Sequence, residues 1–261
     1  MNYRPISLGN CLGKILDKIL NKRLELWLDE RQILREEQAG FRKGYSPSDR
    51  MFVPNALISK YCKGNGKLYV AFLDLSRAFD NVDRIILFRT LLGTGIPSPF
   101  LRVLLSMYCL TRNVVKISGS GISRVFFNVK GVKQGSTLSL KLFAIFINDL
   151  AEYLEKRWAP VVHLGNKVLS LLLFPDDIAL FARSNSELQT LLDLTAEYLE
   201  EKKLEINTKK TEVMIFCRRQ STGNKDEESF NLNGETVKVV SQALYLGFHL
   251  TSNGRWNNQI H

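Results

Sequence analysis

The sequence predicts an α+β fold, an antiparallel sheet backed by helices. Short runs of strand length and composition recur, at residues 68–75, 171–174, 178–181 and 213–217. Longer segments carry apolar residues at helical spacing, above all residues 10–30 and 186–203. Their order is a strand with a terminal Asp, helices, a glycine loop with a helix, an acidic hairpin, a helix and further strands. That order allows the first strand and the acidic hairpin to be neighbours in one sheet.

The chain opens on an extended lead-in over residues 2–9, because Pro5 pushes Arg4 out of the helical region. A helix follows over residues 10–30, with Leu12, Leu16, Ile19, Leu20, Leu24 and Trp27 as its apolar stripe. Residues 38–50 are glycine-rich, basic and interrupted by aromatics. This segment is either a surface turn or a loop that approaches phosphates through backbone N–H groups, with Arg42 and Lys43 adding charge. The next helix is predicted over residues 49–62, where Pro54 should end the first turn or kink it. After a turn at 63–66 comes a strand over 68–75, apolar on both faces and terminated by Asp74. Asp80 and Asp83 read as turn and N-cap residues for a helix over 84–92, which Gly93 and Gly95 end. Ser98 and Pro99 start a helix over 100–110. Residues 113–130 should form a β-hairpin around Gly119-Ser120-Gly121. The loop 131–136 leads into a helix predicted over 138–153, so its polar groups stand either at an ordinary helix entry or at an anion site.

Residues 171–181 hold two adjacent acids, Asp176 and Asp177, between two apolar runs. The pattern is a hairpin with its charge at the tip. Carboxylates beside so much apolar surface are costly unless compensated. Either a bound divalent metal compensates them, or they form a solvated turn. Residues 186–203 then form a helix capped by Ser186, with Gln189 at the capping-box position and Leu188, Leu191, Leu192, Thr195, Ala196 and Leu199 buried. A basic turn over 207–211 precedes a strand over 213–217. Residues 218–229 form a polar loop, and strands over 236–240 and 243–250 close the chain. If the strand bearing Asp74 lies beside the acidic hairpin, three carboxylates meet. Such a set can hold two Mg²⁺ ions about 4 Å apart, the arrangement that polymerases use.

The 261 residues suffice for one large domain or two small ones, and the 45% apolar share supplies a core. The formal net charge of +10, with Lys and Arg spread along the chain, suits a polyanionic partner or a merely basic surface. Cys11, Cys62, Cys109 and Cys217 lack zinc spacing and form no disulfide pattern, and His163, His249 and His261 are equally scattered. A reducing, intracellular setting, nucleus or cytoplasm, is expected. No apolar run reaches the roughly 20 residues that span a bilayer, and the N-terminus has no signal-peptide pattern.

Several of these stretches together resemble one family. Residues 72–80, Phe-Leu-Asp-Leu-Ser-Arg-Ala-Phe-Asp, resemble the first catalytic motif of reverse transcriptases of the non-LTR (LINE/jockey-like) retrotransposon type. Residues 131–150, with Gln134-Gly135 and Ile147-Asn148-Asp149-Leu150, are similar to the second. Phe174-Pro175-Asp176-Asp177 resembles the Tyr/Phe-x-Asp-Asp motif. Residues 204–211, with Asn207 and Lys210-Thr211, and then Tyr245-Leu246-Gly247, resemble the two that follow. Residues 3–7 and 38–50 match the finger-region motifs, so the resemblance covers nearly the whole chain in the family's order.

The resemblance implies a right-hand polymerase. Its antiparallel palm sheet is backed by helices, residues 1–66 are mainly fingers, and residues 67–250 are mainly palm with finger contributions around 112–135. It implies an RNA-directed DNA polymerase that joins dNTPs to a DNA primer on an RNA template, using two Mg²⁺ ions or Mn²⁺ in their place. Asp74, Asp176 and Asp177 would be catalytic and, with Leu75, hold the metal. Phe79 would be the gate against a 2′-hydroxyl, or else a core aromatic. Leu75, Phe79, Gln134 and Gly135 would line the nucleotide site, with Arg42 near the triphosphate and Lys210 near the leaving group. The sequence departs from the pattern at Pro175, where Ala or another small or apolar residue is usual, at Ser136 for Cys and at Leu140 for Pro. With residues 251–261 as only the start of a thumb, a truncated copy is expected, its thumb largely missing. The alternatives are a catalytically inactive remnant that still binds nucleic acid and an intron-type maturase, for which no RNA-binding appendage is visible.

Overall fold

The structure, a computed structural model, describes residues 7–38, 47–109, 111–117, 121–174, 177–217, 228–254 and 256–257. The chain begins with α1 (Cys11–Glu30), α2 (Pro47–Tyr61), β1 (Leu68–Asp74), α3 (Ala78–Asn81), α4 (Arg84–Gly93) and α5 (Ser98–Cys109). Four short strands follow, β2 (Arg112–Asn113), β3 (Lys116–Ile117), β4 (Gly121–Ile122) and β5 (Phe126–Phe127). Then come α6 (Thr137–Phe146), α7 (Leu150–Lys156), β6 (Val162–Leu164), β7 (Lys167–Leu169), β8 (Leu171–Phe174), β9 (Asp177–Ala182) and α8 (Asn185–Glu201). The last elements are β10 (Glu212–Phe216), β11 (Phe230–Leu232), β12 (Glu235–Val240), β13 (Gln242–Tyr245), β14 (Phe248–Thr251) and β15 (Trp256–Asn257). The chain divides into two compact units, residues 1–34 with 77–147 and residues 35–76 with 148–261. No helix among the described residues is long and apolar enough to cross a membrane.

The second unit is built on a six-stranded sheet of order β11-β12-β10-β1-β9-β8. β1 is central because it is apolar on both faces, the pattern of a strand covered twice. It runs antiparallel to both β10 and β9. The sheet is not antiparallel throughout, since β12 pairs with β10 in parallel. Leu68 and Val70 of β1 share a core with Met51, Leu57 and Ile58 of α2, Phe181, Met214 and Phe216 of the sheet, and Tyr245 and Phe248 of the last hairpin. The alternate residues Tyr69, Ala71 and Leu73 face the other way, and α8 packs on β1, β9 and β11. Pro54 lies within α2 without ending it.

α8 starts two residues earlier than its sequence suggests. Ser184 is the N-cap, accepting from the Glu187 N–H, and the Glu187 carboxylate reaches back to the Arg183 N–H. The capping pair is therefore Ser184 and Glu187, with Gln189 instead bonded to Asp193 and to the backbone of Asn231. Tyr198 joins the buried stripe in place of Ala196, its hydroxyl donating to Asp149 at 2.6 Å. Lys202 donates to the other oxygen of Asp149 at 2.9 Å.

The helix expected over 138–153 is two helices, α6 and α7, separated by a turn over 147–149. Asn148 Oδ1 accepts the Arg35 N–H. The strand expected over 243–250 is a hairpin, β13–β14, reversed at Leu246 and Gly247 with φ of 52° and 81°.

In the first unit α6 is apolar nearly all round and fully buried from Leu142 to Phe146, packed by α1 and α4. Only the C-terminal half of the α1 stripe is covered. Leu20, Leu24 and Leu28 are buried, whereas Leu12 is 77% and Leu16 43% exposed. The hairpin expected over 113–130 is two separate two-residue ladders, β2–β5 and β3–β4. The Gly119-Ser120 part of its turn, like most of the 218–229 loop and the finger motif over 3–6, lies outside the described residues.

Candidate active site

At the end of β1 the two neighbouring ladders part. Pairing with β10 stops at Phe72 opposite Glu212, while pairing with β9 continues to Asp74 opposite Asp177. Directly opposed residues project from the same face, with Cβ atoms about 5 Å apart. Two carboxylates distant in sequence therefore stand side by side, both half-buried. The face is the one that carries Phe72. Tyr245 stacks against Phe72 with ring centroids 4.7 Å apart and meets Phe174 edge-on at 6.0 Å. Three aromatic rings thus floor the strand ends that carry the acids.

The turn over 204–211 is stitched to the same end. Ser76 N–H donates to Glu205 O at 2.8 Å, Leu75 bridges Ile206, and Asn207 N–H donates to Asp74 O at 2.8 Å. The Asp74 N–H, which has run out of β10, donates to the Thr211 hydroxyl at 3.3 Å. Lys210 places Nζ 4.0 Å from Asp74 Oδ2. Leu75, expected among the metal and nucleotide residues, is 6% exposed. On the outer edge of the sheet, Leu173 N–H donates to Glu37 O at 2.9 Å and Gln38 bridges Leu173. The glycine-rich loop therefore starts one residue away from Phe174.

The donor set suits a divalent ion. Carboxylate oxygens are hard ligands, and partial exposure leaves positions for phosphate or water. No group of three or more metal-ligating side chains occurs among the described residues. Asp176, Pro175 and Arg42 lie outside the described residues.

The remaining expected residues lie in the first unit. Phe79 is half-buried, with its ring 5.0 Å from Phe143, and its carbonyl accepts the Val132 N–H at 2.8 Å. Gly131 holds φ of 75°, and a Cβ there would stand 2.7 Å from Asp80 O, so this crossing tolerates only glycine. Burial pushes the Asp80 carboxyl above its ordinary value, while a hydrogen bond from the Gln134 side chain and the nearby Arg77 pull it back. Gly135 is exposed with φ of 95°. Ser136 caps α6 and donates to the Asp17 carboxylate, so the helix entry is closed by a side chain. Thr211 was noted only as part of the motif over 204–211, and its bond to the Asp74 backbone was not foreseen. Its partner is 137 residues away, and a Thr after a basic turn carries no signal of that contact.

Three comparisons bear on this arrangement. The family model described as "Reverse transcriptase (RNA-dependent DNA polymerase)" matches residues 1–250. The chain is 28% identical over 260 residues to the "Retrovirus-related Pol polyprotein from type-2 retrotransposable element R2DM" of Drosophila melanogaster, spanning 97% of this chain and 24% of that one. It is 31% identical over 259 residues to the "Probable RNA-directed DNA polymerase from transposon BS" of the same organism, spanning 95% and 27%. The "RNA-directed DNA polymerase from mobile element jockey" of the same organism is 28% identical over 265 residues, with 95% and 27% spanned. The chain thus covers about a quarter of the length of these relatives. Among solved structures, apo telomerase from Candida tropicalis truncated from its C-terminal domain superposes with a TM-score of 0.63 at 14% identity, over 93% of this chain and 45% of that one. That likeness establishes a shared mixed α+β fold.

Proposed function

The chain belongs to the reverse transcriptase (RNA-dependent DNA polymerase) family, related to the polymerases of non-LTR retrotransposons, and from this we propose that it extends a DNA primer with dNTPs on an RNA template. The observation that carries the reading is the pairing of Asp74 with Asp177 at the shared end of β1 and β9. In the right-hand polymerase that the resemblance implies, the six-stranded sheet is the palm. Asp74, Asp177 and Asp176 would hold Mg²⁺, with the Leu75 carbonyl as a further oxygen. When bound, Mg²⁺ lowers the pKa of a 3′-hydroxyl and offsets charge on a triphosphate.

The chain's own residues have the remaining tasks. The Phe72–Tyr245–Phe174 floor holds the two strand ends so that the carboxylates keep one geometry. Thr211 fixes the backbone of Asp74, and Lys210 supplies a cation beside it for the leaving group. Phe79 excludes a 2′-hydroxyl, Gln134 and Gly135 contact nucleotide and template, and Arg42 meets the triphosphate. These four roles rest on motif resemblance. The test is primer extension on an RNA template in Mg²⁺, with Asp74→Asn and Asp176→Asn as controls. The reading expects extension that both substitutions abolish. Equal extension by all three proteins would place the activity elsewhere.

A second reading, nucleic-acid binding without synthesis, is favoured by one observation. Phe174 pairs with Asp177, leaving two residues, Pro175 and Asp176, to connect β8 and β9. The other two-residue hairpin connections of this unit begin on Gly165, Asn233 and Leu246, each with positive φ. Proline is held near −65° and excludes that turn type. A carboxylate displaced by about 1 Å can cost on the order of a hundredfold in rate.

A further inference from the structure

The positive balance of the chain is far from even. Residues 84–148 hold nine Lys and Arg and not one Asp or Glu. Within this stretch the β2–β5 hairpin is exposed to an unusual degree. Every residue from Gly121 to Lys130 is exposed, including Ile122, Val125, Phe126, Phe127 at 60% and Val129 at 81%. Its ladders are two residues each, too short to be stable alone. Its root is nevertheless held. Arg84 donates to Tyr108 O at 2.7 Å and to Gly131 O at 2.8 Å, and also to Asn128 O, so one guanidinium gathers both ends of the hairpin. A fixed root with an uncovered apolar blade is the form of a surface meant to be covered by something else.

The charge says what covers it. The ladders set Arg112 opposite Phe127 and Lys116 opposite Ile122, so each places a cation beside an apolar side chain. Arg124 and Lys130 add to this, and the stretch itself contains no Asp or Glu. Aromatic faces beside fixed cations suit a strand whose bases are unpaired, since bases stack on the rings while phosphates meet the cations. A base-paired duplex hides its base faces, and a stretch without Asp or Glu offers a protein partner's basic groups nothing of its own to pair with. We propose that the hairpin strands over residues 112–116 and 121–130 form a docking blade for unpaired RNA, with bases stacked on Phe126 and Phe127 and phosphates held by Arg112, Lys116, Arg124 and Lys130. That the strand is RNA rests on the reverse transcriptase reading above.

The experiment measures binding of an unstructured RNA oligonucleotide to the whole chain by fluorescence anisotropy across a salt series, with EDTA present so that no synthesis occurs. Phe126→Ala with Phe127→Ala should weaken binding about tenfold or more. Arg112→Gln with Lys116→Gln should lower the slope of log affinity against log salt by about two. Loss of extension in Asp74→Asn with the blade effects present supports both readings. Blade effects without any extension by the wild type leave this proposal standing and remove only the polymerase reading. RNA affinity within about twofold of wild type in both blade variants overturns the proposal. So does a chain that binds no RNA, or a loss confined to single-stranded DNA. Self-association abolished by the Phe variants, with RNA binding intact, would assign the blade to a protein partner and overturn it equally.

Discussion

Asp74 sits where β1 outruns β10, so its N–H has no ladder carbonyl and the Thr211 hydroxyl takes that place. Thr211→Val keeps the shape and removes the acceptor. We expect a fall in the maximal extension rate of roughly ten- to a hundredfold, because a displaced ligand backbone misplaces its carboxylate. Stability should drop by only about 1 kcal/mol, and Thr211→Ser should restore most of the rate. A rate unchanged by Thr211→Val would show that the hydroxyl does not position Asp74. Pro175→Gly permits the positive φ that the neighbouring hairpins use and should raise extension if the turn limits activity. No gain would clear Pro175 as the cause. The meeting of Asp74 and Asp177 was legible because a carboxylate at the end of an apolar strand is conspicuous in one dimension. Thr211 and the packing of Tyr245 on Phe72 were not, since each depends on a contact across more than a hundred residues.

The helices show the limits of local patterning. Both Ser184 and Ser186 could cap α8, and each has a Glu or Gln three residues on, but only Ser184 accepts a first-turn N–H, that of Glu187, while Glu187 takes the Arg183 N–H and Gln189 bonds Asp193 and Asn231. Ser184→Ala should cost about 1 kcal/mol in urea unfolding and Ser186→Ala much less. Equal losses would contradict that assignment. Tyr198, on the same helix, carries a pH prediction. Burial first, and then the Asp149 carboxylate, hold its phenol well above the ordinary value of 10.0. The folded value is the higher one, so the neutral phenol's contribution is complete below pH 10.0 and is lost as pH rises from there. Unfolding free energy measured from about pH 8 to about pH 11 should fall, and Tyr198→Phe should flatten that fall. An identical slope in the variant would contradict it. The α1 stripe misled because periodicity marks an apolar face without saying how much of it meets a partner, and its first half stays exposed. The α6–α7 break was invisible because it follows from what Asn148 and Asp149 bind elsewhere.

Across the molecule, strands that arrive late in the chain assemble around one that arrives early. β1 lies between β9 and β10, which follow it by more than a hundred residues. The antiparallel neighbour β9 was readable, because the strand-end acid and the acidic hairpin predicted that these segments meet, whereas the pairing of β10 with β1 was not predicted. The parallel partner β12 was not, because parallel pairing depends on the path of the crossover and leaves no mark in the strand itself. The same holds for charge. A total of +10 is visible at once, whereas the acid-free stretch over 84–148 acquires meaning only when its hairpin proves to be uncovered. All of the chemistry inferred for this chain depends on the carboxylate pair of β1 and β9 taking up divalent ions. Mn²⁺ titration followed by electron paramagnetic resonance, with primer–template and nucleotide present, reads that property. The expected result is tight uptake by the wild-type chain, weakened at least about tenfold by Asp74→Asn and by Asp177→Asn. Uptake unchanged by either substitution would contradict it.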